Sequence, residues 1–133
     1  FDLARSVDLH LRSAAWTGEQ AVGGGTKDLL DLGDLVTFRG RHFGIWWKLT
    51  SRITAFDRPS FFRDVQVQGP FARMEHDHTF EEVGEGTRMI DRFLFEAPCG
   101  ALGRWVSRAV LARHLQRFLE KRAAFLREIA EAS

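Results

Sequence analysis

The sequence is poor in residues that staple or anchor a chain. Cys99 is its only cysteine, which excludes a disulfide framework within the chain and any zinc site built on thiolates. Nothing demands export, so a reducing, cytoplasmic location is the expectation. No apolar run reaches the ~18 residues needed to cross a bilayer. No basic start followed by an apolar run and a small-residue cleavage site is present, and stable membrane insertion is not expected. An excess of one charge is also lacking. The 19 Lys and Arg meet 18 Asp and Glu, for a formal net charge of +1, which removes the global electrostatic case for nucleic acid. Gly23-Gly24-Gly25 is followed by no Gly-Lys-Ser/Thr, so it is not a phosphate loop.

What the chain does hold is apolar aromatic surface, with 12 Phe and 4 Trp against no Tyr. At 133 residues and 44% hydrophobic, a single domain over residues 1–133 is expected. A chain of this length buries about two-thirds of its unfolded surface without staples. Residues 99–133 carry seven Lys and Arg against three acids, the rest of the chain twelve against fifteen. The basic tail reads as the wet face of a helix.

Apolar residues at Phe1, Leu3, Ala4, Val7, Leu9 and Leu11 predict a short helix over the first dozen residues. A short strand from about Glu19 ends at the glycine run. From Gly33 the period changes to two. Residues 34–43 alternate Val36 and Phe38 against Thr37, Arg39 and Arg41. Residues 45–56 set Ile45, Trp47, Leu49 and Ile53 against Trp46, Lys48, Thr50, Arg52 and Thr54. Two such runs across Gly44 read as antiparallel neighbours. Strands follow at 61–68, 73–83 and 87–96, divided by Asp57-Arg58-Pro59-Ser60, Gly69-Pro70 and Gly84-Glu85-Gly86. Over 102–132 the period returns to that of a helix, with Leu111, Leu115, Phe118, Leu119, Leu126 and Ile129 on one side. The expected class is α+β: a short helix, five or six antiparallel strands in meander, and a long C-terminal helix laid on the sheet. A sheet of this kind curls, and under a single helix it leaves a concavity suited to a small apolar molecule.

The segment richest in chemistry is Met74-Glu75-His76-Asp77-His78-Thr79-Phe80. Alternation puts Met74, His76, His78 and Phe80 on one face, and the flanking Met and Phe mark that face as the inner one. If Glu82 opposes Thr87, then Phe80 faces Met89, His78 faces Asp91 and His76 faces Phe93. A slip of one residue would send the two apolar sets to opposite faces. Asp91 and His78 then form a cross-strand pair with β-carbons about 5 Å apart. A turn at Pro70 brings Asp64 or Gln66 near His76. Three readings fit this cluster. It is a polar pair that satisfies itself within an apolar face, or a set of polar anchors at the end of an apolar pocket, or a metal site using His-x-His with His42 or Asp91. Two histidines and a guessed carboxylate are a weak metal signature, so neither a metal nor a cofactor is assigned. His78 and Asp91 are competent as a general-base pair, but no Ser or Cys sits in a nucleophile motif. His42, in phase with Val36 and Phe38, is placed at the cavity or its rim. His10 and His114 are placed at the surface or in helix packing, and Cys99 at the entry to the last helix.

The pieces Leu32-Gly33-Asp34-Leu35-Val36-Thr37-Phe38, Ile53-Thr54-Ala55-Phe56-Asp57-Arg58-Pro59, Gly69-Pro70-Phe71, His76-Asp77-His78-Thr79-Phe80 and Gly86-Thr87-Arg88-Met89-Ile90-Asp91 together resemble the bacterial SRPBCC proteins. These make up the START-like, polyketide-cyclase/dehydrase and lipid-transport superfamily. The resemblance covers nearly the whole chain. It implies a helix-grip fold, in which a curved antiparallel sheet wraps a long C-terminal helix around an apolar tunnel. It also implies binding of lipid-, sterol- or polyketide-like molecules. Some relatives are cyclases or hydrolases, yet membership does not confer catalysis. Proteins of this family begin with a strand before the first helix, and that strand is expected to be missing here, which would leave an open sheet edge or a place for a second copy, as in a homodimer.

The expected function is binding of a small hydrophobic ligand. Its cavity would be lined by Val36, Phe38, His42, Trp47, Leu49, Met74, Phe80, Met89 and Phe93, closed by Leu111, Leu115 and Phe118, with Asp64, His76, His78 and Asp91 at the polar end. The alternative is a cyclase or dehydratase with His78 as base, Asp91 orienting it and His76 beside them.

Overall fold

Ser6 is a helix cap rather than an interior residue, and it delays the first helix to α1, Val7–Ser13, where the Leu9 N–H donates to its side chain. The computed structural model describes residues 1–23, 27–97 and 108–132. A 3-10 turn at Ala15–Thr17 follows, then β1 (Gln20–Gly23), β2 (Leu35–His42), β3 (Ile45–Asp57), β4 (Phe61–Gln68), β5 (Arg73–Val83), β6 (Gly86–Glu96) and α2 (Arg108–Ala132). Cys99 and the part of the last helix expected before Arg108 lie outside the described residues, as do Gly24 and Gly25.

The strands form one antiparallel sheet in sequence order, β1 to β6. From β2 onward each joins its neighbour through a short turn, which only antiparallel pairing allows. Between β2 and β3, Phe43 (φ 54°) and Gly44 (φ 76°) are both left-handed, the turn geometry that matches strand twist. The β5–β6 register pairs Glu82 with Thr87, Phe80 with Met89, His78 with Asp91 and His76 with Phe93, as the apolar pattern requires. Register shifts in the β3–β4 ladder, between Thr50 and Ser51 and between Ile53 and Ala55, bend the sheet where it wraps the helix.

One end of the trough is filled. Ala4, Ile53, Phe62, Phe80 and Leu126 form a buried cluster with Phe1, Phe56 and Phe125 packed against it. The Phe1 ring meets Phe56, Phe62 and Phe80 edge-on at 5.4 Å each, a favoured aromatic geometry. Phe80 therefore belongs to the core and not to a ligand cavity. Ile45, set on the inner face by alternation, is 51% exposed at the hairpin end. Among the described residues, no helix is long and apolar enough to cross a membrane.

Candidate functional site

The rest of the trough is hollow. A cavity of about 190 Å³ lies between the sheet and α2, lined by strand residues Val36, Phe38, Trp47, Leu49, Met74 and Phe93 and by Leu111, Leu115 and Phe118 of the helix. Its wall is overwhelmingly apolar, with polar groups at two places. Such a lining fits an apolar guest oriented by a few placed hydrogen-bonding groups.

The first polar group is the histidine cluster of β5. His76 and His78 are 6% and 2% exposed because strand alternation turns both inward between Met74 and Phe80. His78 is stacked on Phe62 at 4.0 Å and tilted against His76 at 3.8 Å. The cross-strand partners are exchanged relative to the backbone register. Asp91 opposes His78 along the chain, yet His76 Nε2 makes the 3.0 Å hydrogen bond to Asp91 Oδ1. Asp64 opposes His76, yet His78 Nε2 is the atom bonded to Asp64 Oδ2, at 2.6 Å. The imidazoles lean along the strand, so each reaches a diagonal neighbour. Gln66 takes no part and instead holds the β4–β5 turn through the Phe71 N–H and carbonyl.

Arg122 of α2 completes this end. It is 5% exposed, donates from Nη2 to the Ala4 carbonyl at 2.7 Å and places Nη1 3.8 Å from Asp91 Oδ1. Sequence reading passed over it as one more basic residue of the wet face. It sits four residues after Phe118 and four before Leu126, within the apolar stripe, and that spacing was the available signal. Burial works to raise the carboxyl pKa of Asp64. The His78 hydrogen bond and the charges of His76, His78 and Arg122 outweigh it and hold the pKa below the ordinary carboxylate value. Asp91 is lowered in the same way, against its burial, by its bond to His76 and by the neighbouring His78. His76 is held below the ordinary imidazole value by burial and then by His78. Burial also lowers Arg122, while Asp91 and Asp64 oppose the shift.

The second polar group joins four elements. His10 Nε2 of α1 lies 2.8 Å from Glu19 Oε1, and the Glu19 side chain is only 7% exposed. Thr17 Oγ1 is 3.2 Å from Glu19 Oε2, and His42 Nε2 of β2 is 4.0 Å from the same oxygen. On its other side, His42 Nδ1 bonds His114 Nε2 of α2 at 2.8 Å. Gly40 makes room for this carboxylate, since a Cβ there would stand 2.6 Å from Glu19 Oε2. His42 and His114 are both held below the ordinary imidazole value by burial; Glu19 opposes the shift at His42, and the charges of His42, Arg117 and Lys121 add to it at His114. His10 and His114 thus line the cavity and are not surface residues. The His10 ring packs 4.1 Å from Phe38, which keeps part of the helix-packing role expected of it.

Of the residues expected around the ligand, Val36, Phe38, His42, Trp47, Leu49, Asp64, Met74, His76, His78, Phe93, Leu111, Leu115 and Phe118 line this cavity. Met89 and Asp91 face a second, more open cleft between β6 and α2. The residues not foreseen include Ala4, Ser51, Phe62, Phe71 and Leu119. Among the described residues, only Asp64, His76 and His78 gather metal-competent donor atoms, one from each, within 4.8 Å of one another.

Comparison with known proteins bears on the fold and family. The family described as polyketide cyclase/dehydrase and lipid transport matches residues 7–131. No curated protein matches the sequence. Among solved structures, TTHA0849 from Thermus thermophilus is similar with a TM-score of 0.76 at 18% identity, covering 98% of this chain and 88% of that one. Major latex-like protein 151 from Panax ginseng is similar with a TM-score of 0.66 at 14% identity, covering 94% and 83%. The six-strand sheet gripping a C-terminal helix is thus a helix-grip arrangement shared with these proteins.

Proposed function

Because the chain belongs to the polyketide cyclase/dehydrase and lipid transport family, we propose that it binds a small hydrophobic molecule in the cavity between the sheet and α2. The observation that carries this reading is an interior that is hollow and apolar and that turns buried hydrogen-bonding groups inward. A packed domain interior leaves few voids larger than water. A cavity near 150 Å³ is enough to hold benzene, so about 190 Å³ accepts one or two rings or a short chain, a polyketide-like fragment or the end of a lipid. Larger guests require α2 to move away from the sheet.

The test is a titration of the purified protein with the neutral two-ring fluorophore 1-naphthylamine, beside native mass spectrometry of the protein as isolated. Saturable binding at one site, abolished by Leu115→Trp, is expected, because an indole at that position fills the void. Unchanged binding in Leu115→Trp, or no binding in the parent, overturns the proposal. The enzyme reading, in which His78 acts as a base on the bound molecule, is separated by His78→Asn. A binding protein loses part of its affinity. A cyclase or dehydratase keeps its substrate and loses turnover.

A further inference from the structure

All four ring nitrogens of His76 and His78 face carboxylate oxygens. His76 Nε2 and His78 Nδ1 lie 3.0 Å and 3.2 Å from one atom, Asp91 Oδ1. His78 Nε2 and His76 Nδ1 lie 2.6 Å and 4.0 Å from one atom of the opposite carboxylate, Asp64 Oδ2. Two neutral imidazoles bring two N–H hydrogens to these four approaches, and a carboxylate brings none. With the His78 hydrogen on Nε2, its buried Nδ1 is left as a lone pair facing Asp91, and Nδ1 indeed has no hydrogen-bond partner. With both hydrogens turned toward Asp91, His76 Nε2 bonds Oδ1 and His78 Nδ1 approaches the same atom at 3.2 Å. Three lone-pair donors, His76 Nδ1, His78 Nε2 and Asp64 Oδ2, then converge. The buried group carries two carboxylates against the single guanidinium of Arg122, a deficit of one positive charge when both rings are neutral. Leaving such a deficit buried is costly.

We propose that Asp64, His76 and His78 form a site for one divalent first-row transition ion, with Asp91 as the outer carboxylate that fixes both rings. Two imidazoles and one carboxylate are a donor set of the kind that binds zinc or ferrous iron with open positions. Asp91 plays the part of the carboxylate that commonly orients metal-bound histidine through its other nitrogen. Tetrahedral ligands on bonds of about 2.0–2.2 Å stand about 3.3–3.6 Å apart, so the 4.0 Å pair must close by about half an ångström and the 2.6 Å pair must open by somewhat more. Arg122 stands on the Asp91 side, 3.8 Å away, and balances the outer carboxylate. Since Asp64, His76 and His78 line the cavity, the remaining coordination positions point to an oxygen of the cavity's guest or to water. This site goes beyond hydrophobic binding and does not depend on it.

The experiment uses the full chain stripped with EDTA and titrated with Co²⁺ by visible absorption and with Zn²⁺ by competition and elemental analysis. One equivalent is expected, with a cobalt spectrum free of sulfur charge transfer. Asp64→Asn and His78→Gln each weaken binding at least tenfold, Asp91→Asn weakens it by about 10–100-fold, and Glu75→Gln, on the outer face of the same strand, leaves it unchanged. If His78→Gln does not fold, ¹⁵N spectra of the parent decide: Zn²⁺ shifts His76 Nδ1 and His78 Nε2. Substoichiometric binding, a thiolate band, equal affinity in a folded His78→Gln, or unmoved ring nitrogens overturns the site. 1-Naphthylamine binding by the same EDTA-treated sample reports the cavity separately, so a protein that takes the probe and no ion overturns this inference alone.

Discussion

The cavity's two polar groups are built differently. Asp64, His76, His78 and Asp91 come from three adjacent strands in ladder register, and Arg122 is their partner from the helix. His10, Glu19, His42 and His114 come from four separate places in the chain, meeting only because α1 and α2 both cross the sheet near β1 and β2. The first is a buried cluster held by backbone pairing. The second ties separate elements together. The comparison separates a cluster set by strand register, proposed to meet a ligand's polar end, from a fastening between the helix and the rim of the trough.

The most damaging change is expected at Arg122. Arg122→Leu leaves two buried carboxylates without their cation and should cost about 3–5 kcal/mol in urea denaturation. The same substitution in an Asp91→Asn background should cost less, and equal costs would show that the pair is not coupled. At the other group, Gly40→Ala drives a Cβ against the Glu19 carboxylate and should cost about 1–3 kcal/mol, as overpacking does. A smaller effect is expected of the His42–His114 bond. A double-mutant cycle with Phe at both positions should give a coupling near 0.5–1.5 kcal/mol, and zero coupling would remove the fastening role.

Acid sharpens the contrast further. His42 and His114 are held below their ordinary value of 6.5, so the unfolded chain takes up protons first as pH falls. Their contribution is complete above about pH 6.5 and is lost as pH falls toward the folded values. Asp64 and Asp91 are also lowered, from an ordinary 3.8, and their contribution is lost only at more acid pH. Stability should therefore decline in two stages on acidification. The double Phe variant at 42 and 114 should show a shallower first stage, measured by thermal unfolding between about pH 7 and 5. An unchanged first stage would assign the loss to His76, which is lowered as well.

The same contrast explains what the sequence disclosed. Period-two alternation and one hairpin register were enough to bring His76, His78 and Asp91 together, because a β-ladder converts spacing into position. Asp64 was within reach for the same reason. The exchange of partners was not legible, since it depends on how the His78 ring stacks on Phe62 and the His76 ring tilts against His78. Arg122 and His114 lay in the apolar stripe of α2, readable from their three- and four-residue spacing to Leu111, Phe118 and Leu126. Their charge and polarity masked them. Glu19 gave no local signal: its burial depends on Gly40, twenty-one residues later, and on a strand pairing that no short motif encodes.

The hollow between sheet and helix is tested most directly by intermolecular nuclear Overhauser effects between bound 1-naphthylamine and the protein's methyl groups. Contacts to Met74, Leu49, Leu111 and Leu115, which line the cavity, are expected. Contacts confined to Val67, Ile90 and Leu94, which lie exposed on the outside of the sheet, would contradict it.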